Sequence, residues 1–260
     1  MPVATPTKPA ARKSLRGARA AAPASPTPAT VTKSRPAPRA AARPAASLTL
    51  SSKNYSSWSL RGWLLTRFAA LPFEEVMLPT DDESARKELL LLAPSILVPC
   101  LRHEGVTVWN TLAIAEYLAE TFPKAGLWPA DRVARAHARA ICGEMNSGFA
   151  NLRASLPMNL KAHFPRHKIW AGAKPDIERI VEIWSECLAR YGGPFLFGKK
   201  RCAADAMFAP VVTRFLTYDV PVNPACLAYC DTIMTMPELQ EWIAAARLEP
   251  DEIEQLDMDF

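Results

Sequence analysis

The sequence predicts an α/β domain followed by an all-helical domain, both preceded by a basic, proline-rich tail. Three observations carry this fold class. Residues 1–47 hold 9 of the 31 lysines and arginines and 9 of the 24 prolines, but none of the 26 acidic residues. Strand-like and helix-like patterns alternate from residue 48 to residue 121, and after Pro129 helical periodicity alone continues. With 260 residues, the chain is long enough to bury both cores.

The tail, residues 1–46, is predicted to be disordered because it is rich in alanine, proline and basic residues and has no aromatic residue. The formal charge of +5 belongs to this tail, since residues 48–260 hold 22 basic groups against all 26 acidic ones. A basic tail can contact nucleic acid by charge. We expect a solvated appendage instead, because no aromatic side chain is available for base stacking. Nucleic acid is therefore not an expected partner.

Neither a membrane span nor an export signal is predicted. The nearest candidate for a span, residues 89–101, is interrupted by Pro94 and Pro99, and the N-terminus lacks the apolar stretch of a secretory signal. Six cysteines stand singly, with no CxxC pair and no histidine at ligand spacing. We therefore expect buried free thiols, a reducing cytoplasmic location and no metal. These cysteines are Cys100, Cys142, Cys187, Cys202, Cys226 and Cys230.

The α/β domain, residues 47–124, is predicted from short apolar runs that alternate with helical stripes. Apolar residues recur at helical spacing from Leu60 to Phe68, behind a polar loop that offers Ser57 or Ser59 as the helix cap. The predicted strands are residues 48–50, 73–78, 98–102 and 106–109, and the predicted helices are residues 59–69, 83–92 and 111–121. A βαβ unit followed by a hairpin and a helix gives a mixed four-stranded sheet, the thioredoxin arrangement without its redox CxxC.

The helical domain, residues 130–260, begins after a linker at residues 123–129. Its segments show helical periodicity and are separated by glycine, proline and asparagine clusters. The predicted helices are residues 131–155, 175–191, 203–217, 224–234 and 237–246. Cys202 and Asp205 stand at the first and fourth positions of a capping box, which predicts a folding element at the start of one of these helices.

Four segments then point to a family. Residues 54–61 contain the pattern Ser-Ser-x-Ser-x-Arg, and Val98-Pro99 opens a predicted strand. Residues 110–114 read Asn-Thr-Leu-Ala-Ile, and residues 197–206 carry the capping box. In this order they resemble segments of the soluble glutathione S-transferases, in particular bacterial members with a serine in the active-site loop, and the first is also seen in the zeta class. The resemblance implies a thioredoxin-like domain with a helical C-terminal domain, glutathione as co-substrate and a homodimer.

The serine pair Ser56 and Ser57 is the candidate catalytic group. A thiol with a pKa of about 8.5 is mostly protonated at neutral pH, and its thiolate is the nucleophile. A hydroxyl at a helix N-terminus can donate a hydrogen bond to that thiolate, while the helix dipole adds partial positive charge. By the resemblance to the zeta-type loop, Ser56 is the first candidate and Ser57 the second. Either serine could also simply cap the helix.

The resemblance assigns glutathione binding to two further segments. It implies a cis peptide bond before Pro99, which lets the Val98 backbone pair with the cysteinyl part of glutathione as a strand edge would. From the residues alone, Pro99 could be an ordinary edge-strand proline. Asn110 and Thr111 begin a helix whose free N–H groups, with the Thr111 hydroxyl, would by resemblance hold the γ-glutamyl carboxylate. The same two residues are also typical of a plain N-cap.

A hydrophobic electrophile is the expected second substrate. It would lie between the domains, against a predicted helix at residues 134–152. Met145, Phe149 and Leu152 are spaced to form an apolar wall there, although such a stripe is also typical of plain core. Trp58 and Tyr218 are further candidates for the wall.

Two departures from the family pattern keep three functions open. Ile96-Leu97 stands where relatives place glycine and a basic residue, and Asn110 replaces an acidic residue, so contacts to glutathione would weaken. The leading hypothesis is a glutathione transferase that conjugates the thiolate to a hydrophobic electrophile. The Ser-Ser-x-Ser loop also resembles maleylacetoacetate isomerases, which gives glutathione-dependent isomerisation as an alternative. A non-catalytic binding or regulatory module is the third, and the departures favour it.

Overall fold

The computed structural model describes residues 46–78 and 98–250 and contains a four-stranded sheet in the order β2-β1-β3-β4. The strands are β1 (Ala46–Leu50), β2 (Glu74–Met77), β3 (Cys100–His103) and β4 (Val106–Trp109). β1 pairs in parallel with β2 and antiparallel with β3, and β3 and β4 form the predicted hairpin. This mixed sheet confirms the thioredoxin-like arrangement.

The first strand begins earlier than the sequence predicts. Ala46, which the prediction placed in the tail, is buried and pairs with His103 in β3. The alternation of buried residues at Leu48 and Leu50 extends back to Ala46. Alanine is small and only weakly hydrophobic, so the sequence pattern does not indicate that it belongs to the strand. Residues 1–45, the predicted helix at residues 83–92 and the Ile96-Leu97 pair lie outside the described residues.

Beyond the sheet, the described part of the chain is helical, which confirms the all-helical second half. The α-helices are α1 (Ser57–Phe68), α2 (Thr111–Thr121), α3 (Arg132–Ser147), α4 (Ala150–Ser155), α5 (Lys174–Tyr191), α6 (Ala203–Thr217), α7 (Pro224–Met234) and α8 (Pro237–Arg247). In the described ranges, no helix combines the length and the apolar character needed to cross a membrane.

The prediction of one continuous helix over residues 131–155 is wrong. The segment 131–155 is two helices, α3 and α4, because Gly148 is extended and Phe149 adopts a left-handed backbone with φ of 58°. A Cβ at position 148 would lie 2.8 Å from the Glu144 carbonyl oxygen, so the chain can turn here only without a side chain. The apolar spacing from Met145 to Leu152 runs through the break, which is why periodicity alone missed it.

Helix α1 is the central element of the fold. Ten of its twelve residues are buried, and it packs against both the sheet domain and helices α6 and α8. The Arg61 Nε atom donates a hydrogen bond of 2.7 Å to the Met207 carbonyl in α6. The rings of Trp63 and Trp242, in α1 and α8, lie 5.3 Å apart between centroids. The N-terminus of α1 is therefore fixed by contacts with both halves of the protein.

A buried carboxylate organises the start of α6. Asp205 accepts hydrogen bonds from the Cys202 N–H (2.8 Å), the Leu196 N–H (3.1 Å) and the Tyr229 hydroxyl (3.3 Å), and it forms a capping box with Cys202. Burial raises the pKa of this carboxyl to about 6, in spite of these donors. Asp205 thus connects α6 with the preceding loop and with α7.

Removing this carboxylate should destabilise the fold. Asp205→Ala leaves three buried donors without an acceptor, and we expect a loss of about 2–4 kcal/mol in the free energy of unfolding. Asp231→Ala, on the exposed face of α7, is the matched control and should change it by less than about 0.5 kcal/mol. Urea unfolding measures both, and equal effects would contradict this role of Asp205.

Candidate active site

The polar loop at residues 51–56 ends at the serine pair, which lies at the N-terminus of α1. Ser56 is the N-cap: its Oγ accepts a hydrogen bond from the Ser59 N–H (3.2 Å) and donates one to the Ser59 Oγ (3.0 Å). The Ser59 Oγ in turn accepts from the Ser51 N–H (3.0 Å). Ser57 is the first helical residue and is buried, and its hydroxyl takes part in none of the hydrogen bonds between described residues. Both hydroxyls lie where the helix dipole is positive.

This loop is tied to the helical domain through Asn54, which is fully buried. The Asn54 Oδ1 accepts from the Leu160 N–H (2.7 Å), and its Nδ2 donates to the Asn159 Oδ1 (3.1 Å). On the other side of the loop, the Trp242 indole N–H donates to the Lys53 carbonyl (2.8 Å). The position of the serine pair therefore depends on residues from the second half of the chain.

The Val98-Pro99 peptide bond is cis, and Pro99 packs directly on α1. A Cβ built at Gly62 would lie 2.5 Å from the Pro99 Cβ, so α1 needs a glycine at this position for the proline ring to approach. The structure thus brings Pro99 against the helix that begins at Ser57. Val98 is buried beside it.

The Asn110-Thr111 pair lies at the start of α2. Asn110 has a left-handed φ of 71°, is exposed, and caps the helix by accepting a hydrogen bond from the Leu112 N–H (2.9 Å). Thr111 is buried, and its Oγ1 donates to the Asn146 Oδ1 in α3 (3.2 Å). The pair therefore acts as a cap and as a contact between helices, and its contact with glutathione stays a prediction.

The residues predicted to form an apolar wall are mostly interior. Met145, Phe149, Leu152 and Tyr218 are all buried, and the Tyr218 hydroxyl donates to the Pro157 carbonyl (2.9 Å). Trp58 is half-buried at the start of α1. Of the predicted wall residues, Trp58 is thus the most exposed, and a contact of the others with substrate stays a prediction.

Two arginines that the sequence analysis did not assign to a site flank Trp58. The Arg61 Cζ lies 4.6 Å, and the Arg153 Cζ 5.5 Å, from the centroid of a Trp58 ring. Arg61 Nη1 and Nη2 and Arg153 Nη1 are buried without a hydrogen-bond partner in the described structure. Burial lowers the pKa of both guanidinium groups, and the Coulombic effect of Asp176 opposes it at Arg153.

A third arginine adds to the same positive charge. Arg214 is buried in α6, and its Nε and Nη1 atoms donate to the carbonyls of Leu156 (2.8 Å) and Pro210 (3.2 Å). Burial, with repulsion from Arg153, lowers the pKa of Arg214 to about 9. In the sequence, Arg61 belongs to the serine-loop pattern, whereas Arg153 and Arg214 stand singly in helices and give no local signal.

Comparison with known proteins agrees with this fold. The family model described as "Glutathione S-transferase, N-terminal domain" matches residues 55–121. A probable maleylacetoacetate isomerase of Caenorhabditis elegans is 30% identical over 179 residues, which are 65% of this chain and 81% of that protein. The maleylacetoacetate isomerase of Rattus norvegicus is 30% identical over 171 residues, which are 65% of this chain and 77% of that protein.

Solved structures show the same fold. A glutathione transferase homolog from Burkholderia, with bound glutathione, matches with a TM-score of 0.58 at 24% identity and covers 78% of this chain and 97% of its own. Isozyme E7 of the Drosophila melanogaster glutathione S-transferases matches with a TM-score of 0.56 at 21% identity, covering 78% of this chain and 92% of its own. The chain belongs to the glutathione S-transferase family. Within it, maleylacetoacetate isomerases are among its relatives in sequence.

The two buried arginines should respond differently to an apolar substitution. Arg61→Met removes a buried cation with two unpartnered nitrogens. The Met207 carbonyl loses its bond from Arg61 but keeps its hydrogen bond within helix α6. The free energy of unfolding should therefore rise, or fall by no more than about 1 kcal/mol. Arg214→Met, the matched control, removes the donor from the Leu156 carbonyl and should cost about 2–3 kcal/mol. Urea unfolding tests this order, and the reverse order would contradict it.

Proposed function

We propose that this protein is a glutathione transferase in which the serine pair stabilises the glutathione thiolate for attack on an electrophile. The observation that carries the proposal is the placement of Ser56 and Ser57 at the N-terminus of α1, in a chain of this family. A hydrogen bond from a hydroxyl to a thiolate is charge-assisted, and the helix dipole favours the same charge. Both effects lower the pKa of a bound thiol and raise the fraction of nucleophile at neutral pH.

Ser56 remains the first candidate for the thiolate contact, and Ser57 the second. The Ser56 proton is directed to the Ser59 Oγ, but that bond joins two neutral groups. Exchanging it for a charge-assisted bond is favourable, since the charged bond is roughly twice as strong. Ser57 would need no such exchange, because its hydroxyl has no bond to lose among described residues.

The rest of the proposed site follows the same resemblance. Glutathione is the co-substrate, with its cysteinyl backbone paired to Val98 beside Pro99 and its γ-glutamyl carboxylate at Asn110 and Thr111. The cis bond before Pro99 and the cap at Asn110 support these positions. A hydrophobic second substrate, a homodimeric assembly and a cytoplasmic location complete the proposal, and no metal takes part in it.

Glutathione-dependent isomerisation is the second candidate, and the arginines around Trp58 favour it. Maleylacetoacetate, the compound in the names of the sequence relatives, is a dicarboxylic acid. Buried N–H groups without partners are rare, and they favour a ligand that accepts hydrogen bonds. Arg153, which is half-buried against Trp58, would meet such a ligand, while the fully buried Arg61 adds positive charge nearby. An acidic substrate would therefore suit this site better than a neutral one.

Replacing the serines tests the thiolate assignment. Ser56→Ala should raise the pKa of bound glutathione, read from thiolate absorbance, by about one unit and lower kcat/KM about 10²-fold. Ser57→Ala tests the second candidate in the same way. Ser147→Ala, at the exposed end of α3, is the matched control and should leave both values unchanged. If neither Ser56→Ala nor Ser57→Ala alters the thiol pKa, the serine pair is not the thiolate partner.

Replacing Arg153 separates the two activities. Arg153→Met should lower kcat/KM about tenfold for isomerisation of a cis-enedioic keto acid, because a bidentate charge-assisted contact is lost. The same variant should leave conjugation of a neutral aryl halide within about twofold, since no charge is recognised there. Parallel assays of both reactions provide the measurement. Equal losses in the two reactions would argue against substrate recognition by Arg153.

A further inference from the structure

A carboxylate from beyond the last helix contacts the active-site loop. Glu249 lies two residues after α8. Its Oε2 accepts from the Ser52 hydroxyl (2.8 Å) and the Asn54 N–H (3.0 Å), and its Oε1 accepts from the Lys53 N–H (2.5 Å). One side chain thereby satisfies donors on three consecutive residues of the loop. Glu249 is 195 to 197 residues away from these loop residues in the sequence, and no local pattern indicates the contact.

Hydrogen bonds of Ser52 connect Glu249 with the serine pair. While the Ser52 hydroxyl donates to Glu249, its oxygen accepts from the N–H groups of Asn54 and Tyr55, both at 3.1 Å. The Ser52 carbonyl accepts from the Ser56 N–H, also at 3.1 Å. The residue that Glu249 orients is therefore bonded directly to the backbone of Ser56.

The carboxylate is itself held in place. Lys161 donates from its Nζ to the Glu249 backbone carbonyl, and α8 is tied to the same loop through Trp242 and the Lys53 carbonyl. The Lys53 peptide thus has its N–H bonded to Glu249 and its C=O bonded to Trp242. Both partners come from the end of the helical domain, so they act on the loop as one clamp.

We propose that Glu249 is a positioning residue for the thiolate site: it fixes the backbone of residues 52–56 and so sets where the Ser56 and Ser57 hydroxyls meet the glutathione sulfur. This inference rests on the proposed function. The effect is geometric, because a nearby carboxylate charge alone would disfavour a thiolate. The negative charge of the Glu249 carboxylate is compensated by the three hydrogen-bond donors on the loop. Glu249 acts through Ser52 and contacts no substrate.

Glu249→Gln is the direct test, because it keeps the size of the side chain and replaces one accepting oxygen with an NH2 group that cannot accept. Glu241→Gln is the matched control: it removes the same charge from α8, where Glu241 forms an exposed ion pair with Arg67. Ser52→Ala, which removes the orienting hydroxyl and keeps Glu249, serves as the second variant. All three are made in the full chain.

Three readouts are expected to move together in Glu249→Gln. The amides of residues 53–54 should lose protection from hydrogen exchange, the pKa of bound glutathione should rise by about one unit, and kcat/KM should fall about tenfold with most of the loss in kcat. Ser52→Ala keeps the Glu249 oxygens that accept from these two amides, so it should change the thiol pKa and kcat/KM in the same direction while their protection remains. Glu241→Gln should match the parent in all three. A purely structural role would lower the melting temperature without moving the thiol pKa.

Each contrary result has a definite meaning. Unchanged exchange at residues 53–54 in Glu249→Gln would overturn the clamp. If Glu249→Gln loses this protection but keeps the thiol pKa and the kcat/KM of the Glu241→Gln control, the positioning role is wrong. If the parent itself does not bind glutathione, the proposed function fails and the positioning role with it, and the exchange measurement still shows whether Glu249 holds the loop.

Discussion

Peptide groups buried where two domains meet must find hydrogen-bond partners, and the loop at residues 51–56 depends on this constraint. Ser52, Asn54 and Ser56 are buried within it. The helical domain supplies much of what the loop needs: Asn159 with the neighbouring backbone on one side, and Trp242 with Glu249 on the other. The serine pair is therefore a product of both domains, and neither half of the chain could place it alone.

The positive charge at the site also comes from residues of both domains. Burial lowers the pKa of Arg61, Arg153 and Arg214, and repulsion from Arg153 adds to this effect at the other two. Arg61 and Arg153 also lie against Trp58 at the start of α1. Unpartnered nitrogens in such a place cost stability, and proteins keep that kind of cost mainly where binding requires it. The net charge of the whole chain gives no hint of this, because its excess of basic residues lies in the tail.

Local patterns in the sequence predict the fold well. The patterns of β1 and β3 and the apolar residues of α1 and α2 match the burial of these elements, so the mixed sheet and the following helices could be predicted from them. β2 and β4 are largely exposed, and their β-branched and aromatic residues still predicted strands. The break between α3 and α4 was missed because it depends on the backbone of Gly148 and Phe149, which interrupts the helix without interrupting the apolar spacing.

The candidate site could be predicted only in part. Ser56 and Ser57 stand beside each other in a recognisable loop, so the pattern indicates them as candidates. Glu249, Asn159 and Arg153 act across long sequence separations, and nothing adjacent to them in the sequence indicates the contact. Their positions follow from tertiary packing, which brings single polar residues of α4 and of the segments after α4 and α8 to the active-site loop and the start of α1.

The central claim is that this chain binds glutathione and holds it as a thiolate. Calorimetric titration of the full chain with glutathione at neutral pH, in two buffers with different heats of ionisation, measures binding and proton release together. The account predicts saturable binding at millimolar concentration or below, with release of a large fraction of one proton per site, because the bound thiol loses its proton. Absence of binding at millimolar glutathione, or binding without proton release, would contradict it.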